Sequence, residues 1–200
     1  MGRYHVYKED KETWTVKDDR CFSKHLLYTI LERDGARRIF AGSINILTVR
    51  VIPAQRVVEL SGDRINPPIQ INWPQTHRGR CQLTIGNETF RCNRSKLTTV
   101  RGGKHILIAS WDRKFTSLKK VAYLDVYDVA DAAIRQAMDT GMILATFIGV
   151  QQCMKHVDNV ANQTPPVQFQ QYEIGGQHVD KYVNAAFEIG RLVRRFYRGP

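Results

Sequence analysis

No two of the four cysteines, Cys21, Cys81, Cys92 and Cys153, stand in the C-x-x-C spacing of a zinc or redox site. The signatures of nucleotide and acyl chemistry are also missing: there is no G-x-S-x-G elbow, no P-loop and no dinucleotide fingerprint. The stretch RGGK at Arg101–Lys104 lacks the spacing and the following helix of a phosphate cradle, and reads instead as a hairpin turn. Cys153 and His156 would share a helical face, but two ligands do not make a metal site. The expectation is a protein that is not an enzyme and has neither cofactor nor metal. Export and lipid signals are absent too. The opening MGRYHVYKED has no apolar core, and Val6 breaks the myristoylation pattern that Gly2 would begin. A cytoplasmic chain with free thiols is therefore expected.

Acidic residues are scarce. Nineteen Asp and Glu stand against thirty Lys and Arg, for a net charge of +11. Such an excess points to a polyanionic partner: a phosphate-rich lipid surface, nucleic acid or an acidic protein. Hydrophobic and charged contents of 42% and 24% are those of a globular chain, which excludes wholesale disorder.

What the chain does have is turns at short intervals. In LLYTILERDGARRIFAG, Asp34-Gly35 forms a two-residue loop that sets Ile30 opposite Ile39. INILTVRV places Leu47, Val49 and Val51 on one side; Pro53 then interrupts and a strand resumes at Arg56. SGDRINPP reads as a loop, followed by a short strand from Ile69 to Trp73. In CQLTIGNETFRC, Gly86-Asn87 is a turn with glycine first and puts Cys81 opposite Cys92. That pair is a candidate disulfide, though a hydrogen-bonded position and a reducing compartment argue against the bond. KLTTVRGGKHILIASW turns at Gly102-Gly103. About twelve strand candidates precede Asp128, at the spacing of a barrel or sandwich.

There is a single long apolar run. The spacing of Ala130, Ala133, Ile134, Ala137 and Met138 predicts a helix over about 128–150, capped by Asp128, with Asp131 in its first turn. No residue from Gly141 to Val150 is charged. Asp131, Arg135 and Asp139 would each cost about 2.5–3.5 kcal/mol near a bilayer centre, so no transmembrane span is expected. A helix apolar on every side and outside lipid is buried in protein. Its small residues, among them Ala137, Gly141, Ala145 and Gly149, make it slim enough to thread a closed sheet. The predicted fold is β-rich (α+β): an antiparallel closed β-barrel of about twelve strands around a buried central helix, plus a C-terminal amphipathic helix. Residues 1–150 form the barrel domain and 151–177 an extended linker. Residues 178–200 form the basic amphipathic helix, with a stripe that includes Val179, Tyr182, Ala186, Ile189 and Val193.

This layout resembles the tubby C-terminal-like superfamily, which includes the plant LURP-one-related proteins and the phospholipid scramblases. CFSKHLLYTILERDGARRIFAG is similar to their opening hairpin, and AYLDVYDVADAAIRQAMDTGMILATFIG to their last strand leading into the central helix. The resemblance covers residues 13–150. It implies a twelve-stranded barrel around the helix and binding of phosphoinositide or membrane surface by basic residues on the barrel. It assigns no individual residue.

The candidate anion-binding residues are Arg37 and Arg38 at the first hairpin, Arg101, Lys104, Lys119 and Lys120 at strand ends that could converge on one rim, and Arg191, Arg194, Arg195 and Arg198 in the last helix. Arg91 and Arg94, either side of Cys92, add to the basic set. The functional expectation is a binding protein, cytoplasmic or peripheral to a membrane, that recognises anionic lipid headgroups or another polyanion. The alternatives are a nucleic-acid-associated or assembly subunit of a virion or ribonucleoprotein, and a scaffold that meets a protein partner or a second copy through the C-terminal helix.

Overall fold

The computed structural model describes residues 1–18, 25–63, 65–74, 80–113 and 120–163. Twelve strands follow one another: β1 (Gly2–Lys8), β2 (Thr13–Asp18), β3 (Leu26–Arg33), β4 (Ala36–Ala41), β5 (Ile44–Ile52), β6 (Val57–Gly62), β7 (Ile65–Asn72), β8 (Cys81–Ile85), β9 (Glu88–Cys92), β10 (Lys96–Arg101), β11 (Lys104–Arg113) and β12 (Lys120–Val126). Each pairs antiparallel with its sequence neighbours, and β1 also pairs with β12, so the sheet closes into a barrel. Two helices follow, α1 (Ala132–Ala137) and α2 (Thr140–Gln163).

Local chemistry explains the hairpins. Asp34 and Gly35 have φ of 53° and 70°, and Gly102 and Gly103 have 55° and 75°. Two consecutive positive values match the twist of the strands they join. At Gly86-Asn87 only the glycine is positive, at 58°, as a turn with glycine first requires. The expected registers hold: Ile30 faces Ile39, and Cys81 faces Cys92.

Alternation along the strands turns one side of each into the lumen. Val6, Val16, Ile30, Ile39, Val49, Leu60, Leu83, Phe90, Leu97 and Leu124 are all buried there. Alone they would leave a hollow, and α2 fills it: every residue from Gly141 to Gln151 is buried. The helix lies closest to β5 and β6. A Cβ added at Gly149 would stand 2.9 Å from Val58 Cγ1 and 3.2 Å from Ile71 Cδ1, so the missing side chain is what lets the rod approach the wall. The buried hydroxyl of Thr146 donates to the Met142 carbonyl at 2.8 Å. Among the described residues, no helix is long and apolar enough to cross a membrane.

Three expectations need correction. The helix foreseen over about 128–150 is two helices. Asp131, not Asp128, caps the first, accepting from the N–H groups of Ala133 and Ile134. Asp139 caps the second, accepting from Met142 N at 2.7 Å. Two acceptors eight residues apart each satisfy a set of first-turn donors, so the chain breaks between them. The central helix also runs on past Val150 to Gln163, into the segment read as an extended linker. SGDRINPP is not all loop, because β7 begins at Ile65 and carries Pro67 and Pro68 in extended conformation. The strand that closes the ring is β1, which pairs with β12. The predicted C-terminal helix over 178–200 lies outside the described residues.

Candidate functional site

Strand parity decides where each basic residue falls. Successive hairpins lie at alternate ends of an antiparallel barrel, so every second turn shares a rim. One rim carries the β5–β6, β7–β8 and β9–β10 connections, and α2, entering the lumen at Thr140, emerges there after Met154. The other carries the β8–β9 and β10–β11 turns together with α1.

Arg101 and Lys104 flank the turn that ends β10, whereas Lys120 opens β12 at the opposite end of β11. The expected convergence of these residues on one rim is therefore not what the barrel builds. Arg101 is also committed: its Nη1 lies 2.9 Å from Glu88 Oε1 and 2.8 Å from Asp131 Oδ2. Lys104 is exposed.

Arg37 is no anion site either. Its β4 position has the parity of Ile39, so it points into the lumen and is only 4% exposed. Its Nη2 pairs with Glu32 Oε2 at 2.7 Å, and its guanidinium sits 4.3 Å from the Trp14 ring centroid. Both arrangements neutralise the charge inside the fold. Arg38 takes the other face of β4, beside Leu31 and Thr48 on the outer wall. Lys119, Arg191, Arg194, Arg195 and Arg198 lie outside the described residues.

The thiols expected to be free are free: Cys81, Cys92 and Cys153 are buried and unbridged. Cys81 faces Cys92 across the ladder, but its sulfur lies 3.9 Å from that of Cys153 on α2. The hydrogen bond with Cys81, and then burial, push the Cys153 thiol well up. Burial, and then Cys81, do the same for Cys92. Enclosed in the core, Cys92 and Cys153 hold their protons more tightly than an exposed thiol does.

The rim where α2 emerges gathers what the sequence scatters. Arg56 follows the 3₁₀ turn Pro53–Gln55, Arg80 precedes β8, Arg91 is next to last in β9, Arg94 lies in the β9–β10 turn, Lys96 opens β10, and Lys155 rides on α2. All are exposed. The strands that bear them, β5 to β10, are consecutive around the wall. Of the acidic residues near this end, Asp158 pairs with Arg94, and Glu59 lies three residues beyond Arg56 in β6. Arg56 takes left-handed backbone, φ 54°, and donates from Nη2 to the Pro74 carbonyl at 3.3 Å. Beside it, Trp73 stacks on His156 with ring centroids 5.8 Å apart. Trp73 Nε1 and Gln152 Oε1 are buried without a hydrogen-bond partner among the described residues. Gln152 lies one turn before His156, so an open donor and an open acceptor occur at the same mouth. Sequence reading missed Arg56, Arg80, Lys96 and Lys155 as a group. Counting hairpin parity would have found them.

A second feature lies lower on the wall. β7 and β8 pair only at Ile71 with Leu83 and Asn72 with Gln82. Beyond that point they part around a cleft of about 1170 Å³, floored by Ile46, Ile69, Ile85 and Met142. Among its described lining residues the charged ones are Asp63 and Asp139. Set beside known proteins, the chain matches no family model, no curated protein and no solved structure.

Proposed function

We propose that this chain is a non-enzymatic binding protein of the tubby-like kind, and that the rim where α2 emerges recognises a phosphate-bearing anionic surface such as a membrane containing phosphoinositide. The observation that carries the reading is the gathering of Arg56, Arg80, Arg91, Arg94, Lys96 and Lys155 along six adjacent strands and the helix, where they outnumber the acidic Asp158 and Glu59. Converging cations hold phosphate without a fixed motif, each contributing about 1 kcal/mol near an anionic surface. A wall of twelve strands around one helix supports the family resemblance. The Trp73 donor at the same mouth, without a partner among the described residues, suits an acceptor-rich ligand.

Co-sedimentation of the full chain with vesicles tests this. Phosphatidylcholine vesicles carrying a few per cent phosphoinositide should bind it, and pure phosphatidylcholine should not. The triple variant Arg80→Ala, Lys96→Ala, Lys155→Ala should weaken binding by about 100-fold. Binding that ignores lipid charge, or that survives the triple change, would overturn the proposal. Tighter binding to a random oligonucleotide than to the vesicles, falling steeply with salt, would move the protein to the nucleic-acid class.

A further inference from the structure

We propose that Cys81 and Cys153 are a redox-sensitive pair, and that a peroxide joins them into a disulfide that bolts the central helix to the barrel wall. Their sulfurs lie 3.9 Å apart, one on β8 and the other on α2. A bond needs them at about 2 Å. Each sulfur swings about its own Cα–Cβ bond, so about 1 Å of travel from each side closes the gap.

The third buried thiol is aimed elsewhere. Cys92 faces Cys81 along the ladder, but its Sγ donates to the Asn93 carbonyl at 3.2 Å. The two-residue turn at Gly86-Asn87 makes Ile85 and Glu88 a hydrogen-bonded pair, and alternation makes Cys81 and Cys92 another. At such a pair the Cα atoms stand about 5.5 Å apart, against about 4.5 Å at the alternate positions, which disfavours a bond between strands. The partner within reach of Cys81 is therefore the one on the helix.

Position gives the bond a mechanical meaning. Among the described residues β8 meets β7 at two pairs, Ile71 with Leu83 and Asn72 with Gln82, the shortest ladder in the ring. A link from Cys81 to Cys153 ties this seam to the helix that fills the lumen, across about seventy residues of chain. The pair also sits just inside the rim. Arg80, next to Cys81, and Lys155, two residues past Cys153, are both exposed. A small oxidant has only the outermost layer of the core to cross.

The chemistry balances with hydrogen peroxide. One thiol attacks the O–O bond, keeps one oxygen as a sulfenic acid and releases the other as water. The second thiol attacks that sulfur. The S–S bond forms, and the sulfenic hydroxyl leaves with the thiol proton as a second water. A small thiol such as glutathione reverses the link by exchange. Cys153 holds its proton through its bond to Cys81 and through burial, so oxidation should quicken as pH rises. The link forms or fails whatever the basic rim binds.

The test treats the reduced, full-length protein with a small excess of hydrogen peroxide under native conditions. Remaining thiols are alkylated in urea, and the peptides are mapped by mass spectrometry. The expected product is a joined peptide pair holding Cys81 and Cys153, reversed by dithiothreitol and formed equally in Cys92→Ala. The oxidised protein should unfold at a urea concentration about 1 M above that of the reduced protein. A link from Cys81 to Cys92 or to Cys21, sulfinic acid at Cys81 or Cys153 in place of a link, or thiols that react only in urea would each overturn the inference. So would a linked protein whose urea midpoint has not moved.

Discussion

A charged side chain with almost no exposure forces a choice about its partner. Arg37 retains 5% of its side-chain surface, while Glu32 retains 41%. Removing either breaks the same ion pair, but the consequences differ. Glu32→Ala strands a guanidinium inside the barrel with only Trp14 to face it, and should cost about 3 kcal/mol. Arg37→Met keeps the stem over Trp14 and leaves Glu32 partly in water, so it should cost less, about 1 kcal/mol. Urea unfolding of the two variants checks the order; a larger loss in Arg37→Met would contradict the assignment of Arg37 as the dependent partner. Its inward direction was legible in the sequence. The register that placed Ile39 inside also placed Arg37 inside, two residues away. The charge invited a surface reading that the alternation had already excluded.

At the scale of elements, the fit of α2 against β6 and β7 rests on Gly149. Alanine there improves intrinsic helix propensity by about 1 kcal/mol. It also drives a methyl group into Val58 and Ile71, at a cost of about 1–3 kcal/mol. Gly149→Ala should therefore lower stability by up to about 2 kcal/mol, whereas Ala132→Gly on exposed α1 should cost only its helix propensity, about 1 kcal/mol. Thermal unfolding distinguishes them; a stabilised Gly149→Ala would show that the wall yields. The slim rod could be foreseen from its small residues, because an apolar helix outside lipid has nowhere else to go. Its two-part form could not, since Asp131 and Asp139 both read as helix-compatible until the donors they cap are known. The start of β7 was illegible for a related reason. Prolines argue against a strand only where the neighbouring strand needs their N–H groups, and β8 has parted from β7 there.

For the molecule as a whole, the buried thiols tie stability to pH. Cys92 and Cys153 both have folded values above the ordinary 9.0. Above pH 9 the unfolded chain releases thiol protons that the folded chain retains, so ionisation favours unfolding. The stability these groups supply is whole below that pH and drains away as pH climbs beyond it. Urea midpoints should fall between pH 8 and 10.5, and the double variant Cys92→Ala, Cys153→Ala should show a flatter decline from a lower starting point. An equally steep decline in the double variant would remove the thiols as the cause. The basic rim also belongs to this scale. Arg56, Arg80 and Lys96 are far apart in sequence, and only the count of hairpins brings them to one edge.

Closure of the ring by its first and last strands has a consequence for biosynthesis. β1 is made before every other strand of the sheet, yet its partner β12 is complete only at Val126, and the plug that fills the lumen comes later still. Until then a growing ribbon presents two raw edges and an unlined inner face, each apt to recruit neighbouring chains. Commitment must wait for the whole sheet to leave the ribosome, and the distant first-to-last contact makes that final step slow. For this architecture the hazardous interval lies before the native state is reached, during synthesis.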